Sequence, residues 1–336
     1  MSELTKEKIY KKELIAGGAT GNNNLERIRS LAGGSGGNKK YIVEKIGEDN
    51  GKRRIDFTTL AVSNNIFSFG GAKYDPRFTQ TYELVAYNRE SNQFSTRNIF
   101  GQVTVNPVII EFGGMFLFVA NNANNYNQLM IKALPVSEMY GDTFADFYSV
   151  DNFVDYDIKY AFIDGWKMYI LDSGYNLYSI NIEVDVTNKT ISFTNPTKLT
   201  YYEGEKPTQS VIVDSYKIGV KIYVLISVGN QFELYSFNLI TSTWEKETTL
   251  QLGENISIPE KNGCFIGNDY YFISRDIVQN KTLYKFNLLT FETTKLDIEG
   301  DYPFDAQLFN YDGEIGIAGG TGSNVHFVIS KLTPKP

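Results

Sequence analysis

Between Tyr140 and Tyr156 acids and aromatic residues interleave. Asp142, Asp146, Asp151 and Asp155 alternate with Tyr140, Phe144, Phe147, Tyr148, Phe153 and Tyr156, and Asp157 follows closely. Two chemistries can use such a stretch. Hydrolysis of a glycosidic bond needs only two carboxyl groups flanking it, and aromatic faces beside short polar acceptors suit the binding of a saccharide. The acids also suit a weak calcium site, although the EF-hand pattern D-x-[DN]-x-[DN]-G is absent. A solvated loop pinned by its own aromatics has the same composition. We read the ten residues from Tyr140 to Tyr156 as a ligand-binding surface, with no catalytic residue, metal or cofactor assigned.

Other reactive side chains are scarce. The chain has one histidine, His326, and one cysteine, Cys264. A Ser/His/Asp triad would have to use His326, which sits inside an apolar strand-like phrase and is expected to face a neighbouring strand. One cysteine excludes an intrachain disulfide, and no Cys/His cluster has zinc-ligand spacing. Cys264, in NGCFIG, reads as a small buried apolar residue. The amide-rich NNANNYNQ (121–128) offers hydrogen-bonding groups but also reads as a turn between strands. Tyr201 and Tyr202 add aromatic surface or pack locally. The chain is therefore expected not to be an enzyme.

Charge and hydropathy narrow the partners. A net charge of −7 and a pI near 5.0 argue against a duplex-binding surface, which requires clustered Lys and Arg. No stretch has signal-peptide character and no run of about 18 apolar residues occurs, so synthesis in the cytoplasm without membrane insertion is expected.

The elements that must position these residues announce themselves by repetition. ELVAYNR (83–89), QLMIKAL (128–134), NLYSINI (176–182), ELYSFNL (233–239), TLYKFNL (282–288) and NVHFVIS (324–330) recur about every 48 residues, a spacing of propeller blades. The unit around the fourth copy reads as four strands: SVIVDSY (210–216), KIYVLIS (221–227), ELYSFNL and TWEKETT (243–249). KIYVLIS is an almost continuous apolar run, as a strand buried on both faces requires, whereas TWEKETT is polar enough for an outer strand. Two units are irregular. The second has the segment 135–156 where a fourth strand would be, and the sixth stops at KLTPKP soon after its third strand. An open edge there would be an unpaired ladder. KYIVEKIG (40–47) has no partner of its own and is expected to cross over as the outer strand of the sixth unit.

These features resemble kelch-type β-propellers, whose blades carry a Gly-Gly pair after strand two and an aromatic on strand three followed seven residues later by Trp. Gly70, Gly71, Tyr87 and Phe94 match in the first unit, Phe237 and Trp244 in the fourth, and Gly319 and Gly320 in the sixth. The expected fold is all-β: a six-bladed, kelch-like propeller of four-stranded antiparallel blades over residues 40–336, closed by an N-terminal strand. Sialidase-like propellers carry S-x-D-x-G-x-T-W boxes and three substrate-binding arginines; no such box is present, and the propeller region holds only Arg53, Arg54, Arg77, Arg89, Arg97 and Arg275.

Residues 1–39 stand apart from the repeat. TKEKIYKKELI leads to LERIRSL, where Leu25, Ile28 and Leu31 fall three apart, and then to the linker-like AGGSGG. The segment reads as an anchoring arm that orders against a partner, or as a disordered leader. Together with Asn-, Lys-, Ile- and Tyr-rich usage, the layout resembles tail and baseplate proteins of phages and phage-tail-like particles. That resemblance implies other tail or baseplate subunits as partners of the arm, a host cell-surface saccharide or protein as partner of the loops, and a virion or tail-like particle as location. A cytosolic kelch-like adaptor and a carbohydrate-active enzyme are the alternatives.

Overall fold

The structure, a computed structural model, describes residues 40–49, 54–55, 57–62, 64–70, 72–74, 78–80, 83–100, 104–112, 114–135, 148–150, 157–185, 190–201, 204–207, 210–228, 231–250, 252, 256–258, 260–275, 281–302, 306–320 and 327–335. Among them are strands and turns and no helix. The arm (1–39) and His326 lie outside the described residues.

After β1 (Lys40–Asp49) and β2 (Arg54–Ile55), the first sheet takes β3 (Thr58–Val62) and β4 (Asn65–Phe69). β5 (Ala72–Tyr74) and β6 (Phe78–Gln80) fold back with β2 into a three-stranded annex, and β7 (Glu83–Asn88) and β8 (Gln93–Asn98) complete the first sheet. The second sheet is β9 (Thr104–Phe112), β10 (Met115–Asn122), β11 (Asn125–Pro135) and β12 (Tyr148–Val150). The third is β13 (Ile158–Asp164), β14 (Lys167–Asp172), β15 (Leu177–Asp185) and β16 (Thr190–Phe193), with β17 (Thr197–Lys198) also on β15. The fourth is β18 (Val211–Ile218), β19 (Lys221–Val228), β20 (Gln231–Asn238) and β21 (Thr243–Leu250). β22 (Cys264–Ile266), β23 (Asp269–Arg275), β24 (Lys281–Asn287) and β25 (Thr293–Glu299) form the fifth. β26 (Gln307–Tyr311), β27 (Glu314–Gly320) and β28 (Phe327–Pro334) begin the sixth. Each is an antiparallel meander, and the whole is a β-propeller-like all-β fold.

Patterning sets the position of each strand. Second strands such as β10 and β19 are apolar on both faces and lie in the interior, whereas β8 (QFSTRN) is largely polar and has no buried residue. Apolar clusters form between consecutive sheets. Phe67 meets Phe116 edge-on at 4.8 Å between the first and second; Leu117 and Ile170 share a cluster between the second and third. Phe162 packs with Ile222 and Phe237 between the third and fourth, and Leu225 with Phe272 between the fourth and fifth. Leu283 joins Leu308 between the fifth and sixth, and Tyr87 joins Phe309 and Phe327 between the sixth and first.

β1 joins the fifth and sixth meanders into one eight-stranded sheet, in the order β22-β23-β24-β25-β1-β28-β27-β26. It runs antiparallel to β28, from Tyr41 opposite Pro334 to Asp49 opposite Phe327, with a bulge between Lys45 and Gly47. It also runs parallel to β25, with Lys40 opposite Asp297 and Ile42 opposite Glu299, so it bridges the fifth and sixth sheets. Beside the bulge, the Tyr87 hydroxyl stands 2.8 Å from the Ile46 carbonyl, and the ring covers Gly47 so closely that a Cβ there would meet Tyr87 Cε2 at 2.7 Å. Gly47→Val should therefore destabilise the protein by about 2 kcal/mol through overpacking. Chemical denaturation checks this, and an unchanged midpoint would show that the Tyr87 ring yields to the new side chain.

Two sequence-based expectations are corrected. The second sheet does have a fourth strand, since Tyr148 to Val150 pair with Ile131 to Leu129; three residues with a polar centre were too short to stand out. NNANNYNQ is mostly hairpin: β10 continues to Asn122, β11 begins at Asn125, and Asn121 and Asn122 are buried. The Asn121 side chain accepts the Ile158 amide (3.0 Å), tying the second sheet to the third.

Candidate functional site

Two kinds of tight turn build one end of the molecule. Between strands one and two, a glycine such as Gly219 (φ 55°) or Gly313 (φ 87°) takes the left-handed conformation that closes a short hairpin. Between strands three and four, the asparagine ending the repeated phrase caps its own turn. Asn88 Oδ1 accepts the amides of Glu90 and Ser91, Asn238 those of Ile240 and Thr241, and Asn287 those of Leu289 and Thr290, at 2.8–3.2 Å. The aromatic before each asparagine packs inward: Tyr87 is paired in register with Phe94, and Phe237 with Trp244, ring centroids 4.8 and 5.2 Å apart.

Both kinds of turn lie at the same end of a sheet. The Val220 carbonyl accepts the Leu239 amide (2.9 Å), and equivalent bonds join Trp166 to Ile182, Asn268 to Leu288 and Asn64 to Arg89. Side chains next to these turns connect neighbouring sheets in turn. Phe112 meets Trp166 edge-on at 5.3 Å, Lys217 pairs with Asp164 at 3.3 Å, and Tyr216 stacks on Phe265 at 4.1 Å. Asn310 donates to the Phe265 carbonyl (3.3 Å), and Arg89 binds Asp312 (2.5 Å) while lying over the Tyr311 ring. All six sheets thus present their turns on one side, hereafter the turn end.

That end is divided chemically. The third to fifth sheets expose Trp166 (45%), Val220 (43%), Ile240 (76%) and Leu289 (69%), with Phe291 beside them. Ile240 and Leu289 occupy equivalent turn positions two residues after the capping asparagine, where the first sheet places Glu90. The first and sixth sheets carry exposed Glu90 and Asp312. Apolar side chains are thus left exposed at the tips of three consecutive sheets, as at many interaction sites.

Deeper, three sheets converge on one carboxylate. Asp214 follows a bulge in β18 and is buried. It accepts the Tyr270 hydroxyl (2.7 Å) and Gly263 amide (3.2 Å) from the fifth sheet and its neighbour's amide at Ser215 (2.8 Å). Tyr160 of the third sheet lies beside it and donates to the Val213 carbonyl (3.0 Å). Burial pushes the Asp214 carboxyl up to about 6 despite these donors. Burial also raises the Tyr160 and Tyr270 hydroxyls and the adjacent Cys264 thiol, which makes that cysteine a poor nucleophile. With its donors already in place, the cluster joins sheets and presents no open reacting position. No group of three or more His, Cys, Asp or Glu side chains able to share a metal occurs among the described residues.

Of the ten sequence-predicted binding residues, Tyr140, Asp142, Phe144, Asp146, Phe147, Asp151, Phe153, Asp155 and Tyr156 lie outside the described residues. The backbone of Tyr148 opens β12. β11 ends at Pro135, which pairs with Met115 beside the turn between strands one and two. Tyr201 is exposed and contacts Lys206, whose Nζ donates to its hydroxyl (3.1 Å).

No family model matches the sequence, and no curated protein matches it. Solved structures resemble it in shape, and one of them is at low identity. It is a mutant of Trypanosoma rangeli sialidase displaying trans-sialidase activity, with a TM-score of 0.46 and 10% identity, matched over 83% of this chain. The match takes in 54% of that protein, so this chain spans about half its length. The expectation that the chain is not an enzyme is corrected by this finding, since the matched chain is an enzyme. At that identity and score the likeness assigns no activity.

Sequence reading missed Trp166, Val220, Ile240 and Leu289, although a signal for two of them was present: NLIT and NLLT repeat at one offset after the phrase, with an aliphatic residue where NRES has glutamate.

Proposed function

We propose that this chain is a binding protein of a phage tail or tail-like particle whose turn end engages a protein on the host cell surface. In this reading the six sheets are blades of a closed propeller, with β1 completing the last blade. Supporting closure are the β1–β28 pairing and the succession of apolar clusters from the first sheet round to the sixth and back. The layout described above supports the particle setting.

The observation that carries the reading is the exposure of Trp166, Val220, Ile240 and Leu289 at the tips of three consecutive sheets. Aliphatic side chains gain by burial against other apolar surface, about 25 cal/mol per Å². Carbohydrate sites instead favour aromatic faces with polar neighbours, so this surface favours a protein partner. Its tips are held in place by capped turns, which lowers the entropy lost on binding.

Binding of labelled protein to a panel of low-GC bacterial cells tests the reading, before and after proteolytic shaving of their surfaces. The wild type should bind at least one strain and lose that binding on shaving. Ile240→Asp with Leu289→Asp should weaken it about thirtyfold, as removal of central interface anchors does. Binding unaffected by shaving would point to a saccharide, and wild-type binding by the double variant would move the site off the turn end.

A further inference from the structure

The turn end has a chemical match in the sequence of its own chain. Residues 1–39 carry seven Lys and Arg against four Glu, a charge of +3, which leaves −10 on residues 40–336. Within that basic segment, LERIRSL spaces Leu25, Ile28 and Leu31 three apart and flanks Ile28 with Arg27 and Arg29. The exposed tips of the fourth and fifth sheets offer the complement: Ile240 and Leu289, with exposed Glu245 and Glu292 close by in sequence.

The place where the described chain begins fits as well. Ile315 follows the Asp312–Gly313 turn and lies opposite Leu332, which lies opposite Val43. Lys40, three residues earlier and bonded through its carbonyl to the Lys335 amide (2.8 Å), therefore stands at the turn end of the sixth sheet. The fifth sheet is its neighbour. Leu31 and Ile28 precede Lys40 by nine and twelve residues, and at roughly 3.3 Å per extended residue they reach about 30 to 40 Å. That span suffices to set them over the fifth and fourth sheets.

We propose that residues 25–31 of the same chain cover the apolar tips at Ile240 and Leu289, with Arg27 and Arg29 directed to the acids beside them. The cover does not depend on the proposed function. It makes the turn end a surface that any external partner must compete for.

Cysteine pairs test this in the full chain, because the one native cysteine is buried. Ile28→Cys with Leu289→Cys should form an intrachain disulfide in most molecules under mild oxidation. Ile28→Cys with Val228→Cys should stay largely reduced, since Val228 is exposed at the far end of β19 from the turn end. Mass spectrometry of the monomer reads both. Equal crosslinking at 289 and 228, or none at 289, would overturn the proposal, and disulfides found only between chains would overturn the same-chain assignment.

Discussion

A chain shortened to begin after residue 48 should lose its cooperative unfolding transition or melt far below the full chain, whereas one beginning at residue 38 should melt within about 2 °C of it. The shorter chain lacks nearly all of β1. Its loss removes the ladder along β28 and the parallel pairing with β25. It also takes Tyr41 from the core shared with Leu283, Leu308 and Leu332, and Ile46 from the packing around Tyr87. Truncating one buried aromatic alone costs about 3 to 5 kcal/mol, and a hydrogen-bonded edge left bare is an aggregation hazard besides. The expected total exceeds about 5 kcal/mol, a large share of the stability of an ordinary domain. Differential scanning calorimetry with a hydrophobic-dye binding assay decides it; equal melting of the two truncations would show that β1 contributes little.

Asp214→Ala should lower stability by about 3 kcal/mol at pH 7. The alanine leaves the Tyr270 hydroxyl and the Gly263 and Ser215 amides without their acceptor in a buried place, and each unsatisfied donor costs about 1 to 3 kcal/mol, offset by relief from burying a charge. Asp214→Asn isolates that charge. The folded carboxyl titrates at about 6 and the unfolded one near 3.8, so the folded state holds the proton more tightly. Stability from this group is fully present below about pH 4 and is lost as pH rises through 6, a difference of about 3 kcal/mol. Lys246 lowers Glu233 and Lys335 lowers Glu299, so these acids act in the opposite sense as pH falls. They cancel when wild type and Asp214→Asn are compared. From pH 7 to pH 4 the wild type should gain on the variant by most of that amount, about 2 kcal/mol, in urea titrations. Parallel profiles would mean that the folded carboxyl titrates like the unfolded one and that burial does not raise it.

The sequence by itself determined what is local. Its repeated phrase marks strand three of successive sheets because each copy combines an apolar, β-favouring strand with, in several copies, an asparagine that caps the following turn. Both properties belong to a few adjacent residues. The apolar run KIYVLIS likewise announced an interior strand. The unpaired KYIVEKIG also stood out, but its partners are near residues 297 and 330, and pairing so distant leaves no local trace. Only tertiary structure supplied the parallel contact with β25. It also decided the character of Asp214, which in SVIVDSY is one acid on a strand and becomes buried only because Tyr160 and Tyr270 arrive from two other sheets. The turn end is a property of the assembly too. Ile240 and Leu289 look like ordinary apolar residues in sequence, and their exposure follows from standing at the tips of capped turns, beyond the reach of any inter-sheet core.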